Sequence, residues 1–312
     1  MGVLVLKTVA RGVVVVILVL LAIFVIGYVI GDPARIAVPL GASHQEYERV
    51  RSSLGLNDPF PTQFTRFWRQ VFTLNFGDSF WQHRPALQVA LSHLPATLEL
   101  IGVAFAFSLL VGSILGVVAS LRRDGWLDRA ISVLNTVFAA TPNFWIGIVF
   151  ILVFAVHLRL VPTSGNEGLK SLVLPALTLS LASIGRISQT VRASLLAEQR
   201  RPYARFARAK GLGTVRILRV HTARNAGVGV TTFSLWELIR LVTGAGVVVE
   251  VVFAWPGIGQ LAIEAVQHQD FPLVESCVLV VTVLVVLINL SAELLYGALD
   301  PRLRGAATPR IA

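Results

Sequence analysis

The sequence predicts an all-α polytopic membrane protein: six transmembrane helices, both termini cytoplasmic, and an extracytoplasmic insert between helices 1 and 2. Three observations predict it. Of the 312 residues, 55% are hydrophobic and 14% charged, where a globular domain carries about 25% charged residues. Several apolar runs reach the roughly 20 residues that a helix needs to cross a bilayer core. The net charge of +10 gathers at the ends of those runs, and Lys and Arg in short loops stay on the cytoplasmic face. That placement argues against a nucleic-acid partner, because topology accounts for the basic residues without a polyanion. Cys277 is the only cysteine, which excludes an intrachain disulfide and a cysteine-based metal site.

The first span runs from Val9 to Ile30, with Lys7 and Arg11 at its start holding the N-terminus inside. Its apolar run is longer than the roughly 7–15 residues of a signal-peptide core, so it reads as a retained span. Gly27 and Gly31 are either a close-contact pair or tolerated glycines at a helix end. Residues 32–95 change character: Asp32-Pro33, Asp58-Pro59 and Pro61 break the chain, and aromatics from Phe60 to Trp81 recur. This insert should be helical over about Ser43–Leu54 and Thr62–Thr73, with a turn at Gly77-Asp78-Ser79. Its aromatics form a small core or lie at the membrane interface. His44, His83 and His93 lack metal-ligand spacing.

The second span is predicted from Leu94 to Leu121, beginning at Pro95 and Thr97, with Glu99 in its first turn and Gly112 and Gly116 as a small-residue pair in mid-membrane. Arg122, Arg123 and Arg129 flank a cytoplasmic turn. The third span, Leu127 to Leu160, contains Thr141-Pro142, and a proline there should kink it. The fourth runs from Leu172 to about Leu196, and Arg186 and Arg192 in its second half fit emergence into the cytoplasm.

The basic stretch Gln199–Asn225 follows, with eight Lys or Arg and no acidic residue. Within it Tyr203, Phe206, Ala207 and Lys210 recur at helical spacing, and Gly211 and Gly213 stop the helix. A short surface helix of this kind, with small residues at its end, invites a partner.

The fifth span is Val228 to about Phe253. Glu237 and Arg240 are three apart on one face; they are either a structural intramembrane pair or part of a translocation path. Trp255, Pro256, Gly257 and Gly259 form an outer turn. The sixth span, Leu273 to about Leu299, follows Phe271-Pro272 directly, and Arg302, Arg304 and Arg310 make a basic tail.

Several blocks, in order along nearly the whole chain, carry a family resemblance. They are Gly77-Asp78-Ser79 with Leu94-Pro95-Ala96-Thr97-Leu98-Glu99-Leu100; Ala140-Thr141-Pro142-Asn143-Phe144-Trp145-Ile146-Gly147; Ala207-Arg208-Ala209-Lys210-Gly211-Leu212 with His221 and Arg224-Asn225-Ala226; and Phe253-Ala254-Trp255-Pro256-Gly257-Ile258-Gly259 with Asp270-Phe271-Pro272-Leu273. Together they resemble the permease subunits of bacterial ABC importers, in the dipeptide/oligopeptide/nickel permease family. The broader importer motif opens its coupling helix with Glu-Ala-Ala; here Arg205, Phe206 and Ala207 stand there, with Gly211 four positions on, and the peptide branch typically lacks that Glu. The family's proline after Arg-Asn-Ala is replaced by Gly227–Val230.

The resemblance implies a type I ABC importer permease fold. Residues 1–31 would form the N-terminus and helix 1, 32–95 the insert, 96–299 the permease core with a coupling loop at 197–226, and 300–312 a cytoplasmic tail. Implied partners are a second homologous permease in a heterodimer, two ATPase subunits, an extracytoplasmic substrate-binding protein and membrane lipid. Tyr203, Arg205, Phe206, Ala207, Arg208, Lys210 and Gly211 would couple to the ATPase, with Arg208 and Lys210 meeting acidic groups on it. No G-x-x-x-x-G-K-[ST] loop occurs, so ATP and Mg belong to the partners; no cofactor, metal site or catalytic residue is expected on this chain. The implied cargo is dipeptide or oligopeptide; nickel chelates, glutathione or another small solute are alternatives. An ion-coupled secondary transporter is the alternative from a different class.

Overall fold

In the computed structural model, the described residues are 2–30, 34, 38, 43–53 and 55–299. Gly31, Asp32-Pro33 and the tail arginines lie outside them. The described residues form helices and no strands, in two compact units. One holds Leu98–Trp255 with the outermost ends of the first and last helices; the other holds Val9–Thr97 and Pro256–Val286.

The second unit contains most of α1 (Gly2–Phe24), α2 (His44–Ser53), α3 (Phe60–Thr73), the start of α4 (Ala86–Leu121), α12 (Ile258–Gln267) and much of α13 (Phe271–Leu299). Pro61, at the second position of α3, needs no hydrogen-bond donor there. The aromatics of residues 60–81 divide. Phe67 and Phe76 are buried with Leu20, Phe24 and Leu279, whereas Phe60 and Phe72 stay exposed. A second cluster joins Ala86, Val89 and Ala90 of α4 to Ile258, Leu261 and Ala265 of α12, and to Leu273 and Cys277 of α13.

The first unit is built around α7 (Leu169–Gln199), which is buried along most of its length. It packs against α5 (Trp126–Ala140), α6 (Asn143–Phe150), α10 (Ala223–Arg240) and α11 (Gly246–Val252). Small residues let these helices approach closely. A Cβ on Gly185 would lie 2.4 Å from the Asn135 carbonyl oxygen, and one on Gly116 would lie 2.6 Å from that of Ser188. Two buried hydroxyls are bonded here: Asn135 Nδ2 donates to Ser188 Oγ at 2.8 Å, and Ser108 Oγ donates to the Ala104 carbonyl at 2.6 Å.

Among the described residues, four helices are long and apolar enough to cross a membrane: Thr8–Gly27, Ala86–Leu121, Leu169–Gln199 and Phe271–Leu295. The count rises to five if the bent pair Trp126–Ala140 and Asn143–His157 is one span.

Four features differ from the sequence expectation. The second span begins at Ala86, not at Leu94, and carries Pro95 inside a continuous helix. The third span is not one kinked helix. Its halves meet at 98°, because the residue before a proline is pushed out of helical geometry: Thr141 adopts φ −80°, ψ 129°, and Pro142 then precedes a new helix. Between the fifth and sixth spans stands α12, where the sequence predicts only a turn. The fifth segment is itself divided: a π turn, Leu241–Ala245, separates α10 from α11.

Candidate functional site

The basic stretch forms α8 (Pro202–Ala209) and, after a glycine-containing turn, the short α9 (Thr214–Ile217). The end of α8 follows from its residues. Lys210 caps it, and Gly211 takes φ +81°, a left-handed conformation that glycine adopts without steric cost. Gly211 N then bonds the Arg208 carbonyl at 2.8 Å and Leu212 N bonds the Ala207 carbonyl at 3.2 Å. That pair of bonds is a Schellman closure, completed by the packing of Leu212 beside Ala207.

The two faces of α8 differ. Ala204 and Ala207 are buried with Ile217, and Tyr203 and Leu212 pack at the edge. Arg205, Arg208 and Lys210 are exposed, and Phe206 is 63% exposed. The Lys210 ammonium sits 4.7 Å from the centre of the Phe206 ring, within cation–π range. Arg208 Nη2 donates to the Gln199 carbonyl at 3.2 Å.

This corrects the expectation for Ala207. Its small side chain is buried in contact with its own chain. Tyr203 also points inward. Its hydroxyl donates to Glu198 and accepts from Asn225 Nδ2 at 3.2 Å, tying α8 to the end of α7 and the start of α10. Burial, reinforced by the bond to the Glu198 carboxylate, pushes the Tyr203 phenol above its ordinary value, so it remains a donor at neutral pH.

Glu237 and Arg240 are together, but not as an isolated pair. The Glu237 side chain is 3% exposed. It accepts from Arg240 Nη2 at 2.7 Å, from Arg186 Nη2 at 2.8 Å and from Ser183 Oγ at 2.7 Å. Sequence reasoning assigns Arg186 to the membrane boundary and misses this contact. The available signal was the spacing of Ser183 and Arg186, three apart and therefore on one helical face.

The predicted outer turn is partly a buried structure. Trp255 and Phe253 are buried, Trp255 N bonds the Glu250 carbonyl at 2.8 Å, and Gly165 N bonds the Phe253 carbonyl at 3.0 Å. Pro256 is exposed, and Gly257 and Gly259 are buried. Gly257 caps α12, and Ile258 N donates to Thr97 Oγ1 at 2.8 Å. Asp270, which sequence reasoning names only inside a motif, is buried. It accepts from Ser79 Oγ, from Trp81 N at 3.1 Å and from Leu273 N at 3.2 Å. Trp81 stacks on His268 at 4.3 Å. Two separate sequence blocks thus meet at one carboxylate.

Comparisons with known proteins agree with this architecture. Residues 108–305 match the family described as binding-protein-dependent transport system inner membrane component, and residues 1–101 match its N-terminal counterpart. A Brucella abortus (strain 2308) protein, whose name places it as the permease of a peptide transport system, is 36% identical across 97% of this chain and 99% of its own. The glutathione transport system permease protein GsiC of Pectobacterium atrosepticum is 34% identical, covering 88% of this chain and 89% of its own. A structure of the MetNI methionine ABC transporter shares the fold at a TM-score of 0.58 and 22% identity, over 68% of this chain and 97% of that one. Permeases of this kind work with ATPase and substrate-binding partners, which hydrolyse the ATP and deliver the solute. The chain belongs to the binding-protein-dependent transport system inner membrane component family, and is a multi-pass inner-membrane permease subunit of an ABC importer with no catalytic role of its own.

Proposed function

We propose that this permease carries dipeptides or oligopeptides inward, and that α8 is the coupling helix through which ATP hydrolysis drives it. The peptide assignment rests on relatives named for peptide transport; the glutathione permease supports a small peptide-like solute as the alternative. Six spans follow if the bent pair and the Ala223–Val252 segment each cross once. The short-loop charge rule then puts both termini and α8 in the cytoplasm and residues 32–95 outside. A second, homologous permease completes the pore, two ATPases bind below and the solute-binding protein docks outside.

One observation carries the coupling assignment. One face of α8 is anchored on Ile217, while Phe206, Arg205, Arg208 and Lys210 project from the other. An apolar anchor ringed by cations suits a groove with acidic walls, as helix-in-groove recognition requires. Closure of the ATPase pair would move α8. The Tyr203 bonds would pass that movement to α7 and α10, shifting a two-state pore from inward-open to outward-open.

The test is site-directed crosslinking in the reconstituted assembly. Cys277 is buried and is replaced by serine, and Phe206→Cys supplies one reactive thiol. A nucleotide-sensitive crosslink to the ATPase is expected. Labelling of the Phe206→Cys variant only by reagents applied from outside the cell overturns both the orientation and the coupling role.

A further inference from the structure

The cluster around Glu237 carries more charge than it neutralises. Arg186 and Arg240 supply two positive charges and Glu237 one negative. Each guanidinium has five N–H donors, and each directs its Nε and one Nη nitrogen to the same carboxylate. The carboxylate is almost fully buried, yet Arg186 and Arg240 remain 25% and 35% exposed. Glu237 therefore holds two guanidiniums in fixed positions while one unit of positive charge is left facing outward.

The surface beside Arg240 shows what that charge faces. Exposed positions along α10 include Gly229, Thr232 and Trp236, which with Arg240 fall on one helical face by their spacing. The exposed side chains Val103, Phe107, Leu110 and Ile114 of α4 are apolar, whereas the α10 face sets Arg240 beside Trp236 and Thr232. A guanidinium in the middle of a membrane helix belongs against water or protein. One turn beyond Arg240, Gly244 is exposed, with no heavy atom within 4 Å of a Cβ built on it.

We infer that Arg240 and Arg186, preorganised by Glu237 and Ser183, form a carboxylate-recognition point on the translocation path, which the free C-terminus of a peptide or another solute carboxylate contacts in transit. Guanidiniums suit this role because they bind carboxylates through paired, charge-assisted hydrogen bonds. Two of them sharing one internal counter-ion keep the point cationic without trapping the solute as a lone buried charge would. The inference rests on the peptide-importer reading above.

Uptake of a labelled dipeptide into proteoliposomes containing the whole assembly tests it. Arg240→Gln removes the excess charge and should slow uptake at least about tenfold, the scale of one charged hydrogen bond. The double variant Arg240→Gln with Glu237→Gln leaves Arg186 as the single charge, restores the net positive value and should recover at least half of the wild-type rate. A purely structural bridge makes the opposite prediction, since losing Glu237 as well removes the remaining link between α7 and α10. The inference is overturned if Arg240→Gln transports normally, if the double variant is no faster than the single one, or if both Arg240→Gln and Arg240→Lys fail to assemble. Failure of the peptide reading is separable: the wild-type assembly would then take up no peptide at all.

Discussion

Arg192 of α7 holds Asp128 of α5 with two hydrogen bonds, Nε to Oδ1 at 2.6 Å and Nη2 to Oδ2 at 2.7 Å. Asp128 also accepts from the backbone of Asp124 at 3.0 Å, so one buried carboxylate closes the turn between α4 and α5 and fastens it to α7. Arg192 keeps 30% of its side chain exposed, so losing one partner costs less than the ~3–5 kcal/mol of a fully buried pair. Asp128→Ala should still lower the melting temperature of the detergent-solubilised assembly, with Arg192→Gln close behind. Exchanging the two residues should recover part of the loss. Equal melting temperatures in all variants would show that the pair contributes nothing.

Gly185 is predicted to tolerate no side chain. The carbonyl oxygen of Asn135 stands 2.4 Å from where its Cβ would be, and backbone cannot move aside as a side-chain tip can. Overpacking of this kind costs about 1–3 kcal/mol or more. Gly185→Val should reduce the amount of permease in the membrane, measured against Gly244→Ala as a control in open space. Comparable yields of the two would contradict the close α5–α7 approach.

Phe206→Ala separates coupling from folding. The ring is largely exposed, so its loss should change stability by less than about 0.5 kcal/mol. Uptake should nevertheless fall at least about tenfold, the scale of a buried aromatic anchor in an interface. Gly211→Val should act in the same direction through the backbone. Its φ of +81° penalises any branched residue, although nothing lies near enough to clash. Normal transport by both variants would remove α8 from the mechanism.

Asp270→Ala should loosen the Ser79–Trp81 turn. Three donors lose their acceptor, at a cost of about 1–3 kcal/mol for each group left buried and unpaired. Limited proteolysis should then cut within residues 75–85 faster than in the native protein. Unchanged cleavage would mean that neighbouring contacts hold the turn without Asp270.

Much of this was legible in the residues themselves. Apolar runs located four helices long and apolar enough to cross a membrane, because the transfer of side chains from water to lipid is set by local composition. Tyr203, Phe206 and Gly211 located a short helix and its end, because helical spacing and left-handed backbone are local properties too. The helices His44–Ser53 and Phe60–Thr73 were readable from Pro61 and the charged and aromatic periodicity around it. The course of the chain at Pro142 was only half legible: a proline announces a disturbance, but packing sets whether the helix bends or breaks, and here it turns by 98°.

Pairing was decided by tertiary structure alone. Arg186 and Glu237 are 51 positions apart, Arg192 and Asp128 are 64 apart, and Ser79 and Asp270 are 191 apart. Arg186 and Arg192 read as groups near a helix end, Ser79 and Asp270 as parts of a turn and a motif block, and Glu237 as a partner of Arg240 alone. Which faces meet depends on how closely two backbones approach, and that is set by small residues such as Gly116 and Gly185 acting on a partner helix. Composition determines that a segment can enter the membrane; the contacts between segments determine which of its costly charges are neutralised.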